Sequence, residues 1–183
     1  IGAGNTIMQR YLMPYIKEFH ELYPNINVIL TNPENIRKAN NSDISRIAEI
    51  IVVNYRNNFY PFFKNDEFYF GELNVIDLAK EYSEKTENLE NTYVYDDGVV
   101  KGLIRIKDKE IEKLFIEPAF QSKGIGAKLL HFAIDNYGTD FLWVLEYNTR
   151  GIAFYERNGF KLTGEKMIED EWVPLLKMSL ENA

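Results

Sequence analysis

The stretch "FIEPAFQSKGIGAKLL", Phe115 to Leu130, places two glycines, Gly124 and Gly126, at the start of an apolar helix. In a helix interior glycine costs about 1 kcal/mol relative to alanine, so the missing side chains must serve a purpose. Upstream, "EIEKLFIEP" (Glu110 to Pro118) reads as a strand; downstream, helical spacing continues to Tyr137. At the mouth of that helix the backbone N–H groups lack intrahelical acceptors, and the helix dipole is positive there. Glycines let an anion such as a phosphate approach those groups closely. The spacing alone leaves alternatives open. A Rossmann fingerprint needs a third glycine where Leu129 stands, and a P-loop needs Gly-Lys-Ser/Thr, which does not occur. On the motif alone, the glycines serve equally well to let the helix pack tightly on a strand.

Working outward, "TYVYDDGVVKGLIRI" is a hairpin with its turn at Asp97-Gly98, and Lys107 to Lys109 turn the chain into the strand from Glu110. After the glycine helix, whose polar stripe is Lys128, His131 and Asp135, "DFLWVLEYN" is apolar enough for a strand covered on both faces. "TRGIAFYERNGF" reads as a short helix stopped at Gly159. "KLTGEKMI" and "WVPLLKMSL" are two final strands. Before the hairpin, "NSDISRIAEIIVVNY" opens a helix capped by Asn41 or Ser42, with Ile44, Ile47, Ala48, Ile51 and Tyr55 along one side. An aromatic stretch, "NFYPFFKNDEFYF", is broken by Pro61, and a further helix covers Val75 to Lys85.

In that context "QSKGIG" (Gln121 to Gly126) resembles the Q/R-x-x-G-x-G/A signature of the GNAT superfamily of acyl-CoA-dependent N-acetyltransferases. "NTRGIAFYERNGF" (Asn148 to Phe160) resembles its second signature, N-x-x-A-x-x-F-Y-x-x-x-G-F, in the expected order and at the expected separation. The likeness runs from about Asn35 to Leu180. It departs at Gly151, where the family usually carries alanine, and this predicts a slightly looser short helix. The resemblance implies an α/β (α+β) fold with a mixed, mostly antiparallel sheet flanked by helices and splayed between strands four and five. It implies acetyl-CoA as the acyl-donor co-substrate and no metal. The pyrophosphate is expected on the backbone N–H groups of Gln121, Ser122, Lys123, Gly124, Ile125, Gly126 and Ala127. The pantetheine arm is expected to pair with the backbone of Leu114, Phe115 and Ile116 like an added strand, and to touch Asn148, which also suits a helix cap. The Lys123 side chain is either a phosphate ligand or a solvated cation.

Acetyl transfer to an amine needs a neutral amine, a stabilised oxyanion and a proton for the departing thiolate. Tyr155 matches the family's tyrosine that faces the CoA sulfur, with packing beside Phe154 as the plainer role. Glu110 falls where several members carry a glutamate, and Glu112 shares its face by strand parity; each is a base, directly or through water, or else a rim carboxylate that attracts a cation. The oxyanion is expected on a backbone N–H near Ile116. His131 is expected to be solvated. The implied reaction is transfer of acetyl from acetyl-CoA to a primary amine, small or peptide-borne; the alternative is a regulatory module that holds CoA or an effector without turnover. "NFYPFFKNDEFYF" and the last strands are expected to build the acceptor site.

Composition bounds this reading. Among 183 residues there is no cysteine and only two histidines, His20 and His131, which excludes disulfides, thiolate metal sites and a His-rich metal site. A net charge of -7 argues against nucleic acid as the main partner and is compatible with a cationic substrate. Apolar runs fall far short of the about 20 residues that span a bilayer, and no cationic start precedes an apolar core. These features predict a cytoplasmic protein with no membrane partner. The chain begins with Ile1, so the numbering need not begin at a native start. Residues 1–33 differ from the rest. "PYIKEFHELYP" is an amphipathic helix from Pro14 to Pro24, and "INVIL" alternates as a strand. This opening resembles the start of the effector-binding domain of LysR-type regulators, which implies a fused or foreign appendage to a catalytic domain of residues 34–183. A helix of that length cannot bury its apolar face alone, so it is expected to dock on that domain or on a second copy, as in a homodimer.

Overall fold

Turn chemistry shapes the central sheet. Gly98, at φ 111°, closes the hairpin between β2 (Thr92–Asp96) and β3 (Val100–Lys107), and the next turn leads into β4 (Glu110–Ile116). The computed structural model describes residues 13–23, 35–170 and 172–180. The chain falls into two compact units, Ile1–Asn32 and Pro33–Ala183. In the first, α1 (Met13–Leu22) carries Pro14 in its first turn; the expected strand Ile26 to Leu30 lies outside the described residues.

In the second unit seven strands form one sheet in the order β1-β2-β3-β4-β5-β7-β6. The flanking strands are β1 (Ile36–Lys38), β5 (Phe141–Leu145), β6 (Phe160–Glu169) and β7 (Val173–Leu180). All neighbours are antiparallel except β4 and β5, which are parallel. The mixed sheet expected from the sequence is therefore present, with its one parallel junction where the glycine helix crosses over.

That crossover helix, α6 (Ile125–Tyr137), covers one face. Leu129, Leu130 and Ala133 pack there with Ile104, Ile106, Ile111, Leu142 and Val144. The opposite face is covered by α2 (Ile44–Asn58) and α4 (Val75–Glu84), whose Ile47, Ile50, Ile51 and Tyr82 meet Val94 and Leu103. The cap of α2 differs from expectation. A 3-10 turn, Asn41–Asp43, precedes the helix; Asn40 caps that turn, and Asp43 rather than Asn41 or Ser42 stands at the N-cap of the helix itself. The extended backbone of Asn40 lets its side chain accept from the Ser42 N–H, while the Asp43 carboxylate accepts from the Asn40 N–H. Two short helices, α3 (Tyr60–Phe63), with Pro61 in its first turn, and α5 (Thr86–Glu90), and a π-helical turn, Glu67–Glu72, which buries Tyr69, lie along the same stretch of chain. The expected short helix α7 (Thr149–Arg157) follows β5 and ends before Gly159, at φ 91°.

Candidate functional site

β4 changes neighbours partway along its length. It pairs with β3 from end to end, but with β5 only at Glu110↔Phe141 and Ile111↔Leu142. The cause is a β-bulge. Ile106 faces Ile111 and Arg105 faces Lys113, so Glu112 is an extra residue without a partner on β3. A bulge bends its strand and increases its twist, and at this point β4 and β5 part. Beyond it lies a wedge with one open edge of β4.

The hydrogen-bond register says which groups line that edge. The Glu117 N–H donates to the Lys101 carbonyl at 2.9 Å. Groups on an antiparallel strand alternate in direction, so Phe115 turns its N–H and carbonyl toward β3, while Leu114 and Ile116 turn theirs into the wedge. Of the three residues expected to pair with an extended ligand, Phe115 is committed elsewhere. The Ile116 carbonyl is also taken: it accepts from Asn54 Nδ2 and Gln121 Nε2, both at 3.1 Å. Its N–H remains directed at the wedge. Asn54, buried at 2% exposure on α2, carries no sequence signal beyond being polar on an apolar helix face.

At the wide end of the wedge sits the glycine turn. Gly124 is the N-cap of α6 at φ 80°, with open space where a side chain would project. Ser122 also has a left-handed backbone, at φ 61°. Among the described residues, no acceptor meets the N–H groups of Ser122, Lys123, Gly124, Ile125, Gly126 and Ala127. Six adjacent donors with a helix dipole behind them fit a bound pyrophosphate. Gln121 does not join them, because its N–H donates to the Pro118 carbonyl at 3.3 Å. Gly126 differs from Gly124: a Cβ there would stand 3.4 Å from the Phe154 ring and 3.7 Å from Ile116 Cγ1. These are ordinary contact distances, so an alanine would fit there, whereas a longer side chain would run into the Phe154 ring of α7. Of the two glycines, only Gly124 has a left-handed backbone that favours glycine.

Cations surround this turn. Lys123 and Lys101 lie over the Phe120 ring, at 5.3 and 4.8 Å. Arg150, which the sequence reading passed over, reaches from α7 to donate to Ser122 Oγ at 3.2 Å.

α7 brings the second motif to the same wedge. Asn148 caps it, accepting from the Gly151 N–H at 2.9 Å. A Cβ on Gly151 would fall 2.4 Å from Asn148 Nδ2, so an alanine there would require the Asn148 side chain to shift. Tyr155 is half-buried between Phe154 and Phe160, with ring centroids 5.2 and 5.9 Å away. Its hydroxyl has no hydrogen-bond partner among the described residues, and burial pushes the phenol well above the ordinary tyrosine range.

The two glutamates differ. Glu112 is gripped by Arg105, with Nε to Oε2 at 2.7 Å and Nη2 to Oε1 at 2.8 Å. Arg105 is buried at 7% exposure and also donates to the Tyr82 hydroxyl at 3.0 Å. Its sequence signal was an arginine inside the apolar run "GLIRI". Glu110 makes no such pair, and burial followed by the Glu112 charge raises its carboxyl above the usual range. A buried cation stripped of its partner is costly. Glu112→Leu is therefore expected to cost about 3 kcal/mol, and the double variant Arg105→Met/Glu112→Leu to recover most of that loss in denaturant titration. If the single variant matched the wild type, the pair would not stabilise the bulge.

An aromatic wall stands beside the wedge. Phe62 stacks on Tyr147 at 5.3 Å, and Phe63 meets Trp172 at 4.6 Å. Phe59, Phe63 and Trp143 pack on Leu145, Val173 and Leu175. Phe62, Tyr147 and Trp172 remain exposed. His131, on the α6 stripe, contributes nothing to this arrangement. No helix among the described residues is long and apolar enough to cross a membrane.

Comparison with known proteins matches residues 49–182 to the family model of the acetyltransferase (GNAT) domain. The peptidyl-lysine N-acetyltransferase YjaB of Salmonella typhimurium is 30% identical over 87 residues, 48% of this chain and 60% of that protein. The uncharacterized N-acetyltransferase YjcF of Bacillus subtilis is 28% identical over 126 residues, 64% of this chain and 87% of that protein. The chain thus spans less than two thirds of the length of the YjaB relatives, 60% and 57%. In fold it is similar to apo YjaB from Escherichia coli, with a TM-score of 0.65 and 21% identity over 81% of this chain and 97% of that one. It is also similar to the PaiA N-acetyltransferase of Thermoplasma acidophilum in complex with coenzyme A, with a TM-score of 0.56 and 22% identity over 79% of this chain and 97% of that one. The family match begins at residue 49 and leaves the LysR-like reading of residues 1–33 without support.

Proposed function

Since the chain belongs to the acetyltransferase (GNAT) domain family, we propose that it transfers acetyl from acetyl-CoA to a primary amine by direct attack. The observation that carries this is the wedge itself: an open β4 edge leading to six N–H groups, with the Tyr155 hydroxyl on the helix alongside, all without partners among the described residues. Acetyl-CoA supplies an activated thioester. Ser122 to Ala127 hold the pyrophosphate, Leu114 pairs with the pantetheine arm, and the Ile116 N–H, whose carbonyl is already engaged, receives the developing oxyanion. A glutamate at the start of β4 takes the amine proton, directly or through water. The nitrogen then bonds to the acetyl carbon, the C–S bond breaks, and Tyr155 gives its proton to the sulfur. Exchange with water returns the proton from the glutamate to the tyrosine.

The acceptor is a small amine or a peptide amine set against the wall of Phe62, Phe63, Tyr147 and Trp172. Similarity to the peptidyl-lysine N-acetyltransferase YjaB puts lysine peptides first among candidates. We assign the chemistry to residues 34–183 and treat 1–33 as an appendage. The test is thiol release from acetyl-CoA with lysine peptides, polyamines, aminoglycosides and amino acids, using the full chain and residues 34–183. Amine-dependent release by both supports the assignment. Tight CoA binding with no release for any amine favours the regulatory module, and a folded 34–183 fragment without activity places 1–33 in the active unit.

A further inference from the structure

Arg105 lies on the sheet face covered by α2 and α4, and the only carboxylate bonded to it among the described residues is Glu112. Three of its nitrogens are occupied: two by the Glu112 oxygens and one by the Tyr82 hydroxyl. Glu112 is also the extra residue of the bulge, so its carboxylate is fixed where β4 leaves β5. Both of its oxygens already accept charge-assisted hydrogen bonds from Arg105, so an approaching amine N–H meets an acceptor that is already engaged. Glu110, two residues earlier, stands at the last stretch of β4–β5 pairing, half-buried and without an ion pair among the described residues.

We infer that Arg105 is a positioning residue: it holds the bulged Glu112 by both oxygens, takes it out of proton transfer, and leaves Glu110 as the group that receives the amine proton. This rests on the acetyltransfer reading above. Glu112 acts on Glu110 through its charge. The charges facing Glu110 are Glu112 and Lys113 on its own strand, Lys107 on β3 and Glu169 on β6. Burial and the Glu112 and Glu169 charges keep Glu110 protonated to higher pH than an ordinary carboxyl, while the two lysines oppose them. Removing the Glu112 charge lowers the Glu110 pKa, so the active carboxylate form persists to lower pH.

The experiment compares Glu110→Gln, Glu112→Gln and Arg105→Met/Glu112→Gln, the last removing both charges so that no buried cation is stranded. The acceptor is a weakly basic amine that stays neutral across the titration. Glu110→Gln is expected to lose about 10²–10⁴-fold in kcat. Both Glu112 variants are expected to lose under about tenfold, and Glu112→Gln to move the acidic limb of kcat/KM to lower pH. Carbon-detected NMR titration of the Glu110 carboxyl, without substrate, reads the same downward shift independently of turnover. Equal loss in Glu112→Gln and the double variant, with Glu110→Gln near wild type, makes Glu112 the base and overturns the inference. An unmoved Glu110 titration in Glu112→Gln overturns the coupling. Absence of wild-type turnover with every amine overturns the acetyltransfer reading instead, and the NMR result then still decides the coupling.

Discussion

Gly124→Asp is expected to weaken CoA binding roughly 30- to 1,000-fold while the fold survives. The substitution puts a carboxylate where six backbone N–H groups now point without acceptors among the described residues. Aspartate is among the few residues that tolerate the left-handed backbone required at φ 80°. It also occupies the N-cap position of α6, where a negative charge on the helix dipole stabilises by about 0.3–1 kcal/mol. Conformational strain of about 1 kcal/mol offsets that gain, so stability should change little. Binding should not be spared. Two unit charges about 4 Å apart repel by about 4 kcal/mol at an effective dielectric of 20, and solvent at an open turn reduces this to about 2–4 kcal/mol. Gly124→Asn carries the same strain without the charge and is the control. Calorimetric titration of CoA into both variants decides the matter: equal affinity for the Asp and Asn variants would remove the turn from pyrophosphate binding. The Asp variant should also regain affinity as salt is raised, since screening weakens repulsion between exposed charges.

Gly126 is the wrong position for that test, for a reason no motif carries. A motif records that a side chain is absent but not what a longer one would meet, and at Gly126 that is the Phe154 ring, 28 positions on in the chain. The same distinction separates what was legible from what was not. The sheet, the crossover helix and both motif helices announce themselves through local chemistry: Asp97-Gly98, the Gly124 turn, Asn148 before a helix and Gly159 after it. β1 did not, because three residues are too few for alternation to show. The Glu112 bulge was invisible for another reason. Strand parity assumes one residue against one, and only the partner register, Arg105↔Lys113 beside Ile106↔Ile111, reveals the extra residue. With the bulge came the reason for the wedge and the separate fates of Glu110 and Glu112. Pairing direction likewise removed the Phe115 backbone from the open edge, which spacing along one strand cannot do.

Tyr155→Phe is expected to lower kcat by about 10²–10⁴-fold with CoA affinity and stability almost unchanged. The ring contacts to Phe154 and Phe160 persist in the variant. The hydroxyl has no hydrogen-bond partner among the described residues, so deleting it strands no donor or acceptor. Any large effect therefore belongs to the reaction and not to the fold. The sign of the pKa shift supports an acid. Burial disfavours the phenolate and raises the pKa above the ordinary value near 10, so the donor form is present throughout the neutral and mildly alkaline range. For the same reason Tyr155 should contribute no basic limb to the wild-type kcat profile until beyond that range. A thiol of ordinary pKa near 8.5 is a tolerable leaving group without help, which places the expected loss toward the lower end, about 3 kcal/mol of barrier. Steady-state kcat on a reactive amine, with the CoA dissociation constant measured alongside, separates the possibilities. A hydroxyl that merely orders the ligand would raise the dissociation constant and leave kcat in place. Wild-type kcat in the Phe variant would take Tyr155 out of the mechanism, and the thiolate would then leave unassisted or take its proton from water.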